Sequence, residues 1–216
     1  MISKNFKKRL YTSFSLLILA VLVFMYMPLL TFILLIVGNL SMVEFSQIIK
    51  KISKNKTVNL VLNLSFITYF FLFSLIFFIL SISLSTKIIL FSLLLCCIAS
   101  DTGGYFFGKL FKGPKLISIS PNKTISGSIG SFILSNLILL LIYYNFKLNI
   151  SIDIFLIATS TSLGCQLGDI FFSYLKRKAS IKDTGNFLPG HGGFLDRIDG
   201  ILFGIPLGLL LIAYLN

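Results

Sequence analysis

The sequence predicts an all-α, polytopic integral membrane protein with about seven transmembrane helices and a polar cavity facing the cytoplasm. Two observations lead to this fold class. Of the 216 residues, 56% are hydrophobic and only 12% are charged, whereas soluble domains carry about 25% charged residues. The apolar residues also gather in runs of about 20, which is the length of helix that crosses a bilayer. Because no linker rich in Pro, Gly or Ser divides the chain, we expect one domain over residues 1–216.

Seven apolar segments are the predicted membrane helices, and they cover residues 10–27, 28–45, 60–82, 87–108, 125–145, 152–175 and 195–215. The first two come from one run of roughly 34 residues, which would be roughly 50 Å long as a helix. A bilayer core is about 30 Å thick, so the run holds either one strongly tilted helix or two short ones. Pro28 favours two helices, since proline starts a helix more readily than it continues one.

The positively charged residues alternate between the connections, and this alternation indicates a topology. The N-terminus and every second connection after it carry four Lys or Arg residues each, whereas the remaining connections and the C-terminus carry one, one and none. Since positive residues concentrate on the cytoplasmic side, we expect the N-terminus inside and the C-terminus outside. The net charge of +12 is then mainly a topology signal, and we expect no nucleic-acid partner.

Apart from Glu44 and Asp153 near segment ends and Asp183 in a loop, the four remaining acidic residues belong to predicted membrane helices, where a carboxylate costs at least about 2.5–3.5 kcal/mol. A purely structural bundle offers nothing to offset that cost, so these residues are candidates for function. In the predicted topology they lie at one depth just below the cytoplasmic surface, and they are Asp101, Asp169, Asp196 and Asp199. The sequence favours an interpretation of Glu44 and Asp153 as interfacial residues, because each lies near the end of a predicted segment.

Helical spacing places pairs of these and neighbouring residues on shared faces. Asp196 and Asp199 are three residues apart in the predicted last helix, and residues at that spacing are neighbours on a helix surface. Gly164 and Gly168 lie one turn apart, and such a pair of small residues lets a neighbouring helix approach closely.

Converging carboxylates beside Lys and Arg are what a Mg²⁺–nucleotide site requires. Mg²⁺ takes hard oxygen ligands, usually one or two carboxylates plus phosphates and waters, while Lys and Arg neutralise the remaining phosphate charge. The loop LPGHGG contains Gly192 and Gly193, whose amides can approach phosphate oxygens, and His191, which could hydrogen-bond a phosphate or transfer a proton. The loop SISPNKTISGS leads into the fifth helix, whose N-terminus favours an anion; it supplies Ser120, Lys123 and Thr124.

One stretch, SYLKRKASIKDTGNFLPGHGGFLDRIDG at residues 173–200, carries a family resemblance. It resembles the signature of the phosphatidate cytidylyltransferase (CDP-diglyceride synthetase) family, which runs Ser, Lys-Arg, Lys-Asp, Pro-Gly-His-Gly-Gly and Asp-Arg-hydrophobic-Asp. Two upstream blocks, DTGGYFFGKLFKG at 101–113 and SPNKTISGS at 120–128, are also similar to the family. The resemblance is strong over residues 85–216, the expected catalytic half, whereas the N-terminal helices at 10–82 match by hydropathy alone.

The resemblance implies Mg²⁺-dependent transfer of CMP from CTP to phosphatidate, which gives CDP-diacylglycerol and pyrophosphate for phospholipid biosynthesis. It implies that the metal ligands are Asp169, Asp196 and Asp199. Further catalytic roles fall to Lys182, Asp183, His191 and Arg197, and substrate contacts to Asp101, Tyr105, Ser120, Lys123, Thr124, Ser173, Lys176, Arg177, Gly192 and Gly193. The expected partners are CTP and membrane phosphatidate, with a homodimer left open. The expected location is the bacterial cytoplasmic (inner) membrane, with the active site facing the cytoplasm.

Three positions depart from the family pattern. Ser126 and Phe172 stand where the family often has Glu, and Lys109 stands where Arg is common. We expect activity because the three aspartates proposed to hold the metal are retained. Two alternatives stay open: a CTP-dependent enzyme acting on an isoprenoid lipid, and an inactive membrane scaffold. A cation transporter is disfavoured, since no acid is buried in the predicted external half.

Overall fold

The computed structural model describes residues 18–19, 21–117, 120–146, 151–185 and 192–215. Its helices are α1 (Met27–Ile52), α2 (Lys56–Leu80), α3 (Leu84–Phe111), α4 (Ile125–Asn145), α5 (Ile152–Lys178), the short α6 (Leu195–Ile198) and α7 (Ile201–Leu215). A hairpin of two strands, β1 (Lys115–Ile117) and β2 (Ser120–Thr124), connects α3 to α4. Six stretches of the described chain are long and apolar enough to cross a membrane, so the polytopic helical class is confirmed.

The start of α1 follows from its proline. Tyr26 has an extended backbone (φ −118°, ψ 106°), and Pro28 lies in the first turn of the helix, where the missing N–H of proline costs nothing. The predicted break near Met27-Pro28 is therefore confirmed. Residues 18–19 and 21–25 before it are helical, but residues 10–17 lie outside the described ranges, so the seventh crossing stays a prediction.

Helix α1 is longer than predicted, because it continues past residue 45 to Ile52. Its last turn contains Lys50 and Lys51, which were predicted to follow the helix. Lysines in a last turn suit the partial negative charge at a helix C-terminus. The extension places Glu44 well inside the helix instead of at its end.

The hairpin before α4 was not predicted. Lys115 pairs with Thr124 and Ile117 with Ser120 in an antiparallel ladder. Strands of three and five residues are too short to show the alternation of apolar and polar residues that predicts a strand. The hairpin places Ser120 and Lys123 on β2, whereas Thr124 is the N-cap of α4.

The last predicted helix, 195–215, is broken in the structure. Helix α6 ends at Ile198, Asp199 and Gly200 form a turn, and α7 begins at Ile201. Asp196 and Asp199 thus do not share a helix face as their spacing predicted. The turn brings Gly200 close to α5, where a Cβ on this glycine would lie 2.5 Å from Cys165 Sγ.

The chain divides into two compact units. The first unit comprises the described parts of residues 1–84 and 175–197, and the second those of residues 85–174 and 198–216. In the first unit α1 packs on α2 through aromatic rings, among them Phe45 and Phe66, which stack with centroids 4.1 Å apart.

The second unit is assembled through close backbone contacts at glycines. A Cβ on Gly164 would lie 2.7 Å from Phe203 O, and one on Gly168 would lie 2.4 Å from Asp199 O. The predicted close approach at this glycine pair is therefore confirmed, and it determines how near the Asp199 turn comes to α5. Helices α3 and α4 approach in the same way, since a Cβ on Gly103 would meet Gly130 O at 2.5 Å.

Candidate active site

A polar pocket of about 230 Å³ lies in the second unit, between α3, β2, α4 and α5. Predicted site residues and their neighbours line it, among them Asp101, Tyr105, Lys123, Thr124, Gln166 and Asp169. A larger pocket of about 370 Å³ lies between α3 and α4, but its lining is apolar apart from Thr102 and Asn145. The smaller pocket is the one whose side chains can bind a charged substrate.

An ion pair lies in this pocket. Lys123 Nζ on β2 is 2.9 Å from Asp169 Oδ2 on α5, and the two side chains are 28% and 25% exposed. The hairpin that sequence reasoning missed is what brings the lysine to the carboxylate. The carboxylate thus already holds a cation at a position that a small ligand can reach.

A second carboxylate, Asp101 on α3, lines the same pocket. Its Oδ1 lies 3.2 Å from the Sγ of Cys165, a buried thiol on α5. Cys165 therefore hydrogen-bonds a pocket carboxylate in addition to filling space. The structure thus brings Asp101 and Asp169, two of the four predicted intramembrane acids, to one pocket. Tyr105, one turn after Asp101, is 72% exposed, and the Lys109 ammonium lies 5.7 Å from its ring centroid.

The start of α4 is organised by hydroxyl groups. Thr124 Oγ1 accepts a hydrogen bond from Gly127 N at 3.1 Å, as expected for an N-cap threonine. Ser126 Oγ lies 3.0 Å from Thr124 Oγ1 and accepts a hydrogen bond from Gly113 N at 3.3 Å. The serine that replaces the family's common Glu therefore links the end of α3 to the start of α4.

Asp196 lies in the first unit and receives four donors. Lys176 Nζ is 2.6 Å from its Oδ1, and its Oδ2 accepts from Thr184 N at 2.8 Å, Thr184 Oγ1 at 3.0 Å and Gly193 N at 3.1 Å. The predicted phosphate-binding amide of Gly193 therefore donates to a protein carboxylate in this structure. Gly192 before it has a φ of +82°, which favours glycine.

Glu44 on α1 is buried in the first unit, with 1% of its surface exposed. Its carboxylate accepts hydrogen bonds from Thr184 Oγ1, Phe194 N and Leu195 N. The interpretation of Glu44 as an interfacial residue is wrong. The predicted helix ended at residue 45, which placed Glu44 at a boundary. With α1 ending at Ile52, the rule that a buried membrane acid is a functional candidate would have selected it.

The remaining predicted residues are distributed over both units. In the second unit, Asp199 is nearly buried, with its Oδ1 accepting from Gly200 N at 3.0 Å, and Ser173 lies on α5. In the first unit, Arg177 donates to Ile181 O at 3.4 Å, Lys182 and Asp183 follow α5, and Arg197 lies in α6. His191 lies outside the described residues.

The described side chains contain no group of three or more His, Cys, Asp or Glu residues close enough to hold a metal ion. Asp169 and Asp199 belong to the second unit and Asp196 to the first. Mg²⁺ needs only one or two carboxylates when substrate phosphates complete its shell. Asp101 and Asp169 offer such hard oxygen donors in one pocket, and the Lys123 ammonium already on Asp169 shows that the position accepts a cation. The donor set of this pocket therefore fits Mg²⁺.

Comparison with known proteins decides the family. The model of the cytidylyltransferase family matches residues 3–215. The chain belongs to this family. The resemblance predicted from the signature is thereby confirmed over nearly the whole chain, including the N-terminal helices that hydropathy alone had suggested.

Individual relatives match the chain over about half its length. A phosphatidate cytidylyltransferase of Staphylococcus haemolyticus (strain JCSC1435) is 47% identical over 111 residues, which are 50% of this chain and 42% of that protein. Another of Staphylococcus aureus (strain COL) is 46% identical over 110 residues, with the same coverage. One of Staphylococcus epidermidis (strain ATCC 35984) is 43% identical over 123 residues, or 56% of this chain and 47% of that protein. The matched part is thus less than half the length of each of these relatives.

Proposed function

We propose that this member of the cytidylyltransferase family transfers CMP from CTP to phosphatidate and produces CDP-diacylglycerol and pyrophosphate. The observation that carries the proposal is the polar pocket, in which Asp101, Asp169 and Lys123 meet inside an otherwise apolar helical unit. The relatives that bear the name phosphatidate cytidylyltransferase support the choice of nucleotide and lipid.

The reaction joins two anions. An oxygen of the phosphatidate phosphate attacks the α-phosphorus of CTP, a new P–O bond forms, and the bond to the departing pyrophosphate breaks. The attacking group is already an anionic oxygen, so no protein side chain has to remove a proton from it. The protein has to hold two polyanions together and screen their repulsion, and positioning with electrostatic stabilisation does this.

Lys123 has the chemistry for that screening. Its ammonium is bound to one carboxylate and partly exposed in the pocket, so it can turn to a phosphate oxygen of CTP. Thr124 lines the same pocket at the N-terminus of α4, and its hydroxyl can donate to the same phosphates. We assign Lys182 and Arg197 to phosphate charge in the same way, as their place in the signature implies.

We propose that Asp169 is a ligand of Mg²⁺, with Asp101 beside it in the pocket. Asp196 and Asp199 stay proposed ligands because of their place in the signature. When bound at these carboxylates, Mg²⁺ would neutralise phosphate charge. The carboxylates of Asp101 and Asp169 line one pocket and provide hard oxygen ligands there. Lys123 leaves Asp169 when the phosphates arrive, because a triphosphate offers it more negative charge.

We propose that the enzyme lies in the bacterial cytoplasmic membrane with this pocket on the cytoplasmic side. Phosphatidate keeps its acyl chains in the bilayer and its phosphate at the interface, while CTP arrives from the cytosol. The alternation of positive charge along the chain supports that orientation.

The test is an assay of the purified protein with Mg²⁺, CTP labelled at the α-phosphate and phosphatidate in mixed micelles. Labelled CDP-diacylglycerol is the expected product. A parallel reaction with a polyprenyl phosphate identifies the isoprenoid alternative, and absence of turnover with either lipid identifies an inactive scaffold. Asp153→Asn is a suitable control, because Asp153 lies in the first turn of α5, far along the helix from Asp169, and its carboxylate accepts a hydrogen bond from Ser151.

A further inference from the structure

Glu44 is the most buried carboxylate of the first unit. Residues 184–185 and 193–195, called the signature loop here, contact its side chain. We propose that Glu44 is a positioning residue, which holds Thr184, Gly185 and residues 193–196 in the geometry that the reaction needs. It touches no substrate in this role and acts through Thr184, Asp196 and the backbone at the start of α6. The expected effect on turnover rests on the proposed function, whereas the expected effect on the loop conformation rests on the structure alone.

The two carboxylate oxygens of Glu44 each accept one backbone amide at the start of α6. Phe194 N lies 3.0 Å from Oε1 and Leu195 N lies 2.9 Å from Oε2. The first N–H groups of a helix have no partner within the helix. Glu44 supplies that partner from α1, about 150 residues earlier in the chain. The contact therefore ties the orientation of α6, and of Asp196 and Arg197 on it, to α1.

Thr184 links Glu44 to Asp196. Its hydroxyl lies 2.7 Å from Glu44 Oε2 and 3.0 Å from Asp196 Oδ2. A hydroxyl has one proton to donate, so the two carboxylates share it. Thr184 N donates to Asp196 Oδ2 as well, at 2.8 Å. A displacement of Glu44 is thereby transmitted to a carboxylate that we assign to the reaction.

Two glycines of the loop pack directly on the Glu44 carboxylate. A Cβ on Gly185 would lie 2.6 Å from Oε1, and a Cβ on Gly193 would lie 2.5 Å from Oε2. Real Cβ atoms do not approach oxygens so closely. The loop backbone thus lies against the carboxylate because these two residues have no side chain, which explains one glycine of the PGHGG motif without a phosphate.

A carboxylate is required at this position because both of its oxygens accept an amide. In a Glu44→Gln variant one oxygen becomes an NH₂ group, which faces a backbone N–H and cannot accept its hydrogen bond. Water cannot replace the lost acceptor at a side chain that is 1% exposed. We expect the loop to shift, and a misplacement of about 1 Å at a reacting geometry costs on the order of 100-fold in rate.

The changes in kcat and KM distinguish a positioning role of Glu44 from a role in substrate binding. The CTP-facing residues Lys123 and Thr124 belong to the other unit and keep their contacts in the variant. We therefore expect Glu44→Gln to lower kcat on the order of 100-fold, while KM for CTP changes little. Thr184→Val keeps the side-chain shape and removes the shared proton, so it should lower kcat less than Glu44→Gln does.

The experiment combines these kinetics with hydrogen exchange of the purified protein in micelles. Exchange at residues 193–197 should rise in Glu44→Gln, while exchange in α2 and α3 stays at the wild-type level. Ser41→Ala is the matched control: Ser41 is buried on α1 one turn before Glu44, and its Oγ has no hydrogen-bond partner among the described residues. Ser41→Ala should leave both kcat and exchange unchanged.

Each outcome of these experiments either supports or overturns the proposal. Wild-type kcat and wild-type exchange in Glu44→Gln overturn the proposal, and so does a rise of exchange that is equal throughout the protein, which marks a merely structural residue. If Glu44→Gln does not fold, Thr184→Val provides the same two readouts. If the wild type transfers no CMP, the proposed function fails, and exchange confined to residues 193–197 still supports the positioning role.

Discussion

Two lysine–aspartate pairs occur among the residues that the structure describes, and they differ in their surroundings. Lys123 and Asp169 in the second unit lie 2.9 Å apart with 28% and 25% of their side chains exposed. Lys176 and Asp196 in the first unit lie 2.6 Å apart with 12% and 8% exposed. The Asp169 carboxylate lines a pocket. The Asp196 carboxylate instead accepts three further hydrogen bonds, from Thr184 and Gly193.

The difference indicates two kinds of role. A partly exposed pair contributes about 0–1 kcal/mol, so Lys123 can leave Asp169 for a phosphate at small cost. A buried pair is expensive to break, because removal of one partner leaves an uncompensated charge. The first pair is therefore suited to exchange with substrate and metal, and the second to holding the signature loop in place before substrate arrives.

Asp169→Asn should produce the largest loss of activity. If Asp169 holds Mg²⁺ as proposed, loss of its carboxylate removes several kcal/mol of transition-state stabilisation, which corresponds to a fall in kcat on the order of 10³-fold. The melting temperature should change little, because the pair is partly exposed. The measurement is CMP transfer against Mg²⁺ concentration, with Asp153→Asn on the same helix as control. Near wild-type turnover at low Mg²⁺ would remove Asp169 from the metal site.

Asp196→Asn should differ by costing stability as well as activity. The substitution leaves the largely buried Lys176 ammonium without its counter-charge. Since breaking a fully buried pair costs about 3–5 kcal/mol, we expect a loss of stability that approaches this range. A thermal melt in detergent measures the effect, and Lys176→Met combined with Asp196→Asn should recover part of it. An unchanged melting temperature would show that the two pairs are equivalent.

Lys123→Met tests the exchange of the exposed pair. A hydrogen bond to a charged group contributes about 1.5–3 kcal/mol, so the loss of its contact with CTP phosphate should raise KM for CTP at least about tenfold. Lys115→Met, an exposed lysine on the neighbouring strand β1, is the matched control. Equal KM values for the two variants would contradict the assignment of Lys123 to phosphate.

Ser126→Ala should have the smallest effect of the four. It removes the hydrogen bond from Gly113 N and the one with Thr124 Oγ1, each worth about 1 kcal/mol of stability, and it leaves both ion pairs untouched. Turnover should be retained, with a slightly lower melting temperature. A loss of turnover comparable to that of Asp169→Asn would mean that Ser126 takes part in the chemistry as its family counterpart Glu would.

The sequence was sufficient for the class of protein, most of its helices and the family. Long apolar runs predict membrane helices because a bilayer demands about 20 apolar residues in a row. The bounds of α4 agree with the predicted 125–145, while α1 was underestimated by seven residues at its C-terminal end. That error arose because polar residues begin before the helix ends, and it concealed the position of Glu44.

The candidate site was predictable in composition but not in arrangement. An acid inside an apolar segment marks Asp101 and Asp169 from sequence alone, and the structure brings both to one pocket. That Lys123 reaches Asp169 depends on a short polar hairpin without a readable pattern, and that Asp199 lies in a turn depends on close backbone packing at Gly168.

By itself the sequence determined that this chain is helical, lies in a membrane, and carries the cytidylyltransferase signature. These properties depend on local composition and on the order of residues, which the chain displays directly. Only the tertiary structure decided which lysine meets which aspartate, and that Glu44 supports a loop about 150 residues away. Such contacts join groups on separate elements of the fold, and their distances depend on how closely those elements pack. The spacing of residues along the chain does not predict those distances.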